Sequence, residues 1–274
     1  MGYSVKIGVI QLSFNEDLIL AIIQAILEWL PVSSEGFLIL TSVNVFQKSA
    51  SEALRAAIYF HLGTSLAVLF KYRRKYFDTI TFRNIPLLRF LVISAIATAV
   101  TAIPLYILIK ESFSLLDGML ITLFIGVALL LTGSLLRFGV LKSSDTLTFS
   151  ERKFSDELLV GFFQGFSILP GISRSGVTIT YFLARGFKRQ EAFEMSFLMS
   201  LPAVLGAIAF DIIYNEIYVD LSIEYFALTG LVTVLGYFMM NFLLGLAERL
   251  TFDKICYFLG IITIVLVLIF YAFF

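Results

Sequence analysis

The chain has 274 residues, of which 59% are hydrophobic and 15% charged, with 20 basic and 20 acidic side chains balancing to zero net charge. Soluble domains carry charge at about a quarter of their positions, so the composition points to a polytopic membrane protein, and the zero net charge gives no case for nucleic-acid binding. A single cysteine, Cys256, and a single histidine, His61, exclude an internal disulfide, a thiolate cluster and a multi-histidine metal site.

Residues 1–15 are mixed in character and read as a short interfacial helix. They lack the basic start and small-residue cleavage site of a signal peptide, so the whole chain is expected to be retained. Leu18–Leu27 is apolar but short, and Pro31 stops it; Gly36–Gln47 is a second short apolar piece. A bilayer core takes about 20 helical residues to cross. The economical reading is a re-entrant hairpin at about 18–47, with irregular backbone that must be covered by protein or line a wet cavity. Three longer segments follow: Glu52–Tyr72, Pro86–Ile109 with a kink expected at Pro104, and Gly118–Leu136. Arg137–Lys153 is a polar link.

The order then repeats. Leu158–Leu169 and Ser175–Gly186 form a second short pair, a hairpin at about 155–186. Glu191–Tyr214, Glu224–Ala247 and Ile255–Phe274 are the remaining spans. PAVLG at 202–206 occupies the place of SLAVLF at 65–70. Each half is one hairpin plus three spans, and an odd number inverts the second half. The expected fold is therefore an all-α polytopic membrane protein of two inverted-topology repeats, 1–140 and 155–274, joined by a cytoplasmic link at 141–154.

Basic residues orient membrane chains. Lys71, Arg73, Arg74, Lys75 and Arg83, then Arg137, Lys142, Arg152 and Lys153, then Arg185, Lys188 and Arg189, then Arg249 and Lys254 all fall in loops on one side of a six-span model. The loop at Asn215–Glu224 has Glu216, Asp220 and Glu224 and falls on the other side. Both termini are expected outside.

The polar residues at depth concentrate in two matching stretches. QAILEWLPVSSEGF runs from Gln24 to Phe37, and QGFSILPGISRSG from Gln164 to Gly176. Charged groups at bilayer depth mark functional sites, and paired interrupted segments mark inverted-repeat proteins with a midplane site. After each proline a new half-helix begins, with unpaired N–H groups and a positive dipole end. Two such ends beside Arg174 make an anion site, and phosphate is the natural guest. Gln24 and Glu28 are four apart and share a helix face. Glu28 stands where the helix dipole disfavours a carboxylate; it could hold a divalent cation or act as a general base, with a serine hydroxyl or water attacking phosphorus. Plainer roles compete. Ser33, Ser173 and Ser175 suit N-caps, Glu35 suits a first helical turn, and Arg174 suits a clamp through Glu28 or Glu35. Gln24 and Gln164 suit hydrogen bonds across hairpins. Gly36, Gly171 and Gly176 suit turns or close backbone contact. His61 reads first as a helix-contact residue, with contact to the site as the alternative.

At these residues the chain closely resembles the undecaprenyl-diphosphatase family of the bacitracin-resistance type. The resemblance rests on QAILEWLPVSSEG, FHLGTSLAVLFKYRRK, QGFSILPGISRSG and EAFEMSFLMSLPAVLGA, which occur in the family's order. It implies a divalent-cation-dependent phosphatase, with Mg2+ or Ca2+, acting on a polyprenyl diphosphate at the outer face of the plasma membrane, and a homodimer. It maps the family's motifs onto Gln24 and Glu28, onto Pro31, Ser33 and Ser34, and onto Gly171, Ser173 and Arg174. Glu28, Ser34 and Arg174 are thus candidate catalytic residues. Gln24, Ser33, Gly171, Ser173, Ser175 and Gly176 are candidate substrate contacts. Glu28 is the candidate metal ligand, joined by Gln24 and Glu35. Bacterial members of the family commonly have Thr-Gly-His after the serine pair, where this chain has Glu35-Gly36-Phe37, so no acid–base role falls to Phe37. The rival readings are a lipid-phosphate flippase or anion transporter, which needs an anion site but not a nucleophile and metal together, and a non-catalytic lipid-binding protein.

Overall fold

The computed structural model describes residues 14–113, 118–215, 223–246 and 252–273. Eleven α-helices and no strands occur among them: α1 (Phe14–Leu27), α2 (Ser34–Asn44), α3 (Ala50–Lys71), α4 (Arg73–Ile80), α5 (Ile85–Phe113), α6 (Gly118–Lys142), α7 (Phe154–Gln164), α8 (Arg174–Ala184), α9 (Arg189–Asn215), α10 (Ile223–Leu246) and α11 (Phe252–Phe273). Five of these, α5, α6, α9, α10 and α11, are long and apolar enough to cross a membrane. The protein is a multi-pass, all-helical membrane protein. The first expected span coincides with α3, whose opening turns lie outside the residues with described side chains. Most of residues 1–15 and much of the acidic loop after Asn215 also lie outside the described residues.

The two short pairs are broken where the sequence places prolines. α1 ends at Leu27 and α2 begins at Ser34, so Pro31 sits in the turn; α7 ends at Gln164, a 3₁₀ turn covers Gly165–Ile168, and α8 begins at Arg174 after Pro170. Ser33 and Ser173 cap α2 and α8 in the same way: each hydroxyl accepts from the N–H three residues on, Gly36 at 3.1 Å and Gly176 at 3.1 Å. This is the N-cap bond that satisfies one orphan donor of a helix start. α4 is a helix where the sequence reading places Arg73, Arg74 and Lys75 only in a basic loop. Eight residues with three consecutive basic side chains give too short a pattern to stand out, yet Tyr76 and Thr79 bury one face of it.

Packing crosses between the halves. α1 lies on α10 and α7 on α5; α3 packs on α10 and on α9; α8 packs on α6, and α6 on α11. The α6–α11 seam is held by small residues: a Cβ on Gly126 would come within 2.8 Å of Ile264 Cγ1, and one on Gly260 within 2.9 Å of the Gly126 carbonyl. With no hydrophobic drive between helices in lipid, such close approach supplies much of the association. Outward residues on these helices are apolar, including Val100, Phe238 and Leu266, as lipid contact requires.

The start of α7 is held by charge. Glu157 is fully buried and meets Arg89 Nη2 at 2.9 Å and Arg152 Nε at 3.1 Å. Asp156 accepts from Arg185 Nε at 2.6 Å, from the Tyr181 hydroxyl at 3.0 Å and from the Lys153 N–H at 2.8 Å. The Arg152 guanidinium lies 3.6 Å from the Phe149 ring centroid. The polar link is accordingly shorter than its sequence suggests: α6 continues to Lys142, and a 3₁₀ turn at Phe149–Glu151 leads into α7.

Candidate active site

The tips of the two broken pairs touch. Gly171, with φ of +96°, donates its N–H to Ser33 Oγ at 3.0 Å, so Ser33 accepts from both tips. Gly36 faces it: a Cβ there would lie 3.0 Å from Gly171 N. Thr132 of α6 closes the second tip, donating to the Gly171 carbonyl at 3.1 Å and accepting from Ser173 N at 3.3 Å. Ser175 Oγ donates to the Leu30 carbonyl at 3.1 Å and lies 3.2 Å from Ser173 Oγ. Behind the first tip, fully buried Trp29 packs edge-on to Phe197 at 5.4 Å, and Cys256 of α11 donates to the Pro31 carbonyl at 3.3 Å.

Glu28, one residue past α1, is the hub. Its Oε2 accepts from Gln24 Nε2 at 2.9 Å and from Ser34 Oγ at 2.8 Å, and lies 3.1 Å from His61 Nε2. Its Oε1 is ion-paired with Arg174 Nη2, the first residue of α8, whose Nη1 donates to the Ser196 carbonyl at 3.2 Å. A guanidinium, an imidazole, an amide and a hydroxyl thus converge on one buried carboxylate, the hydroxyl and the guanidinium borne by the opening residues of α2 and α8. A second carboxylate, Glu35, lies in the first turn of α2, is 9% exposed, and leaves Oε1 without a hydrogen-bond partner. Glu28, Ser33, Ser34, Glu35, His61, Ser173, Arg174 and Ser175 line one cavity of ≈ 110 Å³, which continues past Thr98, Ala102, Ala203 and Ala207 between α5 and α9.

The structure brings together every residue singled out from the two motifs, with several changes of role. Ser33 and Ser173 are caps as well as cavity-lining residues. Neither glutamine bonds across the tips: Gln24 stays within its own pair on Glu28, and Gln164 Nε2 donates to Thr98 Oγ1 of α5 at 2.9 Å. Of the two readings of His61 the structure favours the alternative, because it sits against Glu28 inside the cavity. In a helix apolar on all sides, periodicity gives no inward direction. The one available signal was that His61 is the sole histidine, set in the middle of an apolar span.

A charged cleft built where two broken helix pairs meet inside a membrane bundle defines the class: a multi-pass membrane protein with a polar candidate site buried among its helices. The comparisons narrow that class. The model of the family described as bacitracin resistance protein BacA matches residues 17–265, and the chain belongs to that family. It is similar to a protein named undecaprenyl-diphosphatase from Methanothrix thermoacetophila, 39% identical over 256 residues that cover 92% of this chain and 96% of that one. Proteins of the same name from Methanopyrus kandleri (36% over 248 residues, 87% of this chain and 90% of the relative) and Methanococcoides burtonii (34% over 269 residues, 92% and 98%) are also similar.

Proposed function

We propose that the protein is an integral-membrane phosphatase that hydrolyses undecaprenyl diphosphate, or a similar polyprenyl diphosphate, to the monophosphate and inorganic phosphate. The observation that carries this is the Glu28 hub: a carboxylate, a hydroxyl and a guanidinium within hydrogen-bond reach at two facing helix N-termini, in a chain of this family. A carrier needs the anion site alone. A carboxylate that at once holds a serine hydroxyl and an arginine suits bond cleavage better.

In this reading the first turns of α2 and α8 and the Arg174 guanidinium bind the terminal phosphate. In phosphoryl transfer the work is positioning and charge stabilisation. Arg174 supplies the planar paired donors, and Glu28 orients it through Oε1. Ser34 Oγ, held by Glu28 Oε2, is placed either to attack phosphorus, with Glu28 taking its proton, or to hold the attacking water. Gln24, Ser175 and the backbone at Gly171 and Gly176 fix the tips. The terminal phosphoryl group leaves the prenyl monophosphate, and water ends as part of inorganic phosphate.

The family implies a divalent cation, and the residues fit one. Gln24 Oε1 and Glu35 Oε1 are buried acceptors without hydrogen-bond partners, so a cation would satisfy them as no further acceptor could. Glu28 and Glu35 line the cavity and would offer the hard carboxylate oxygens that Mg2+ or Ca2+ prefers, whereas Gln24 does not line it. Among the described residues no three His, Cys, Asp or Glu side chains form a metal cluster. Substrate oxygens and water would complete the sphere, as Mg2+ sites on phosphates usually require. When bound, the cation would neutralise diphosphate charge.

We place the chain in the plasma membrane as a possible dimer. Two inverted repeats, 1–140 and 155–274, are our reading of the swapped packing of α1 on α10 and α7 on α5, with both broken pairs re-entrant and the cavity open to the outer face. The test is phosphate release from a C55 prenyl diphosphate by purified protein, with Mg2+ or Ca2+ and with excess chelator. Metal-dependent release is expected. Lipid binding without release under any divalent cation would overturn the assignment.

A further inference from the structure

Resting on the phosphatase reading, we infer that Tyr76 of α4 is a positioning residue for Arg174, acting through residues 196–198 of α9. The starting observation is a proline inside a long helix. Pro202 lies within α9. It has no N–H, so the carbonyl four residues back, that of Leu198, loses its regular helical donor. Leu198 is 2% exposed, and a buried carbonyl left without a partner is costly. Tyr76 supplies the donor: its hydroxyl donates to the Leu198 carbonyl at 2.8 Å. Inside a membrane, neighbouring elements commonly re-satisfy the backbone groups that a proline frees. α4 is held to α9 a second time by the more exposed Lys75–Glu194 ion pair.

The two residues before Leu198 support the candidate site. The Ser196 carbonyl accepts from Arg174 Nη1 at 3.2 Å, and the Ser196 hydroxyl lies 2.7 Å from Thr178 Oγ1 of α8. Phe197 packs edge-on to Trp29, the neighbour of Glu28 in the first tip, at 5.4 Å. Three consecutive residues of α9 thus meet the second tip, meet the first tip, and are themselves held by Tyr76. Ser196 and Phe197 are fully buried and Tyr76 nearly so, and packing this close transmits small displacements. Arg174 has Glu28 on one side and the Ser196 carbonyl on the other. A shift of that carbonyl turns the guanidinium plane, and an arginine serves phosphoryl transfer only when its donors are aligned. Burial pushes the Tyr76 hydroxyl above the usual tyrosine range, with the Arg174 charge near enough to pull the other way, so the group stays a neutral donor.

The test is turnover of a C55 prenyl diphosphate by the purified full chain with a divalent cation. Tyr76→Phe keeps the ring and deletes the donor. It should lower kcat by about tenfold or more, the scale of a small misplacement of a catalytic group, with KM little changed. Pro202→Ala restores an N–H for the Leu198 carbonyl, so adding Tyr76→Phe to it should change kcat by less than about twofold. In Arg174→Lys the planar fork that Tyr76 aligns is already gone, and adding Tyr76→Phe should again change kcat little. If Tyr76 only packs α4 in place, Tyr76→Phe lowers activity by the same factor in all three backgrounds, and that result overturns the inference. Unchanged kcat in Tyr76→Phe overturns it as well. Should Pro202→Ala fail to fold, the Arg174→Lys pair decides. Active wild type with an indifferent Tyr76→Phe removes the Tyr76 role alone. Wild type that releases no phosphate under any divalent cation removes the phosphatase reading, and the Tyr76 role with it.

Discussion

The two helix-break tips share one backbone design and carry opposite chemistry. Each has a proline turn, an extended serine at the N-cap and a glycine three residues on whose N–H the serine accepts. The first tip carries Glu28 and Glu35; the second carries Arg174. Their supports differ too. The first is backed by the edge-on contact of Trp29 with Phe197 and by the thiol of Cys256, which donates to the Pro31 carbonyl. The second is anchored by ionic and polar contacts, Glu157 and Asp156 at the base of α7 and Gln164 on Thr98. In the proposed mechanism this common scaffold offers N–H groups to the phosphate, and the asymmetry in charge supplies the chemistry.

The contrast is broken most severely at its acidic centre. Glu28→Gln removes the carboxylate that pairs with Arg174 and holds Ser34, and phosphate release should fall by about a thousandfold or more, with the helical spectrum retained. Full activity would exclude a carboxylate-centred mechanism. On the basic side, Arg174→Lys keeps the charge but loses the planar fork. Turnover should drop about a hundredfold, the scale of one aligned donor, while binding of the lipid diphosphate largely persists. A parallel loss of binding would assign Arg174 to ground-state recognition instead. The smallest effect sharpens the shared scaffold. Ser173→Ala should cost about 1 kcal/mol as a lost N-cap. Ser33→Ala should cost more, because it also leaves the buried Gly171 N–H without its acceptor, a penalty of about 1–3 kcal/mol. Thermal unfolding of the two variants in the same detergent reads the difference; equal losses would mean that the contact between tips contributes nothing.

Much of this was legible in the chain because membrane sequences punish polarity. Gln24, Glu28, Ser34 and Arg174 stand out against apolar neighbours, and Pro31 and Pro170 interrupt stretches too short to span. The long helices α5, α6, α9, α10 and α11 are plain from their length and apolarity. What stayed hidden depends on direction or on distant partners. His61 points inward from a helix with no polar face to orient it. Thr98, Thr132 and Ser196 look like ordinary span residues until Gln164, Gly171 and Arg174 arrive beside them. α4 was lost because a run of basic residues reads as a loop on sequence alone.

The Arg174–Glu28 ion pair joins residues 146 positions apart, and the Gly171–Ser33 bond spans 138. At ribosomal speeds of about 5–20 residues per second, on the order of ten seconds separates the two tips. The first tip therefore enters the membrane with its carboxylate held only by Gln24, Ser34 and His61 and without its arginine, and a charge so incompletely paired is costly at depth. Only the arrival of the second tip lets both settle. Assembly of the candidate site thus waits for the second half of the chain, with Ser196 of α9 and Cys256 of α11 arriving after Arg174, and a chain stalled before residue 174 should remain an open bundle that quality-control proteases can recognise.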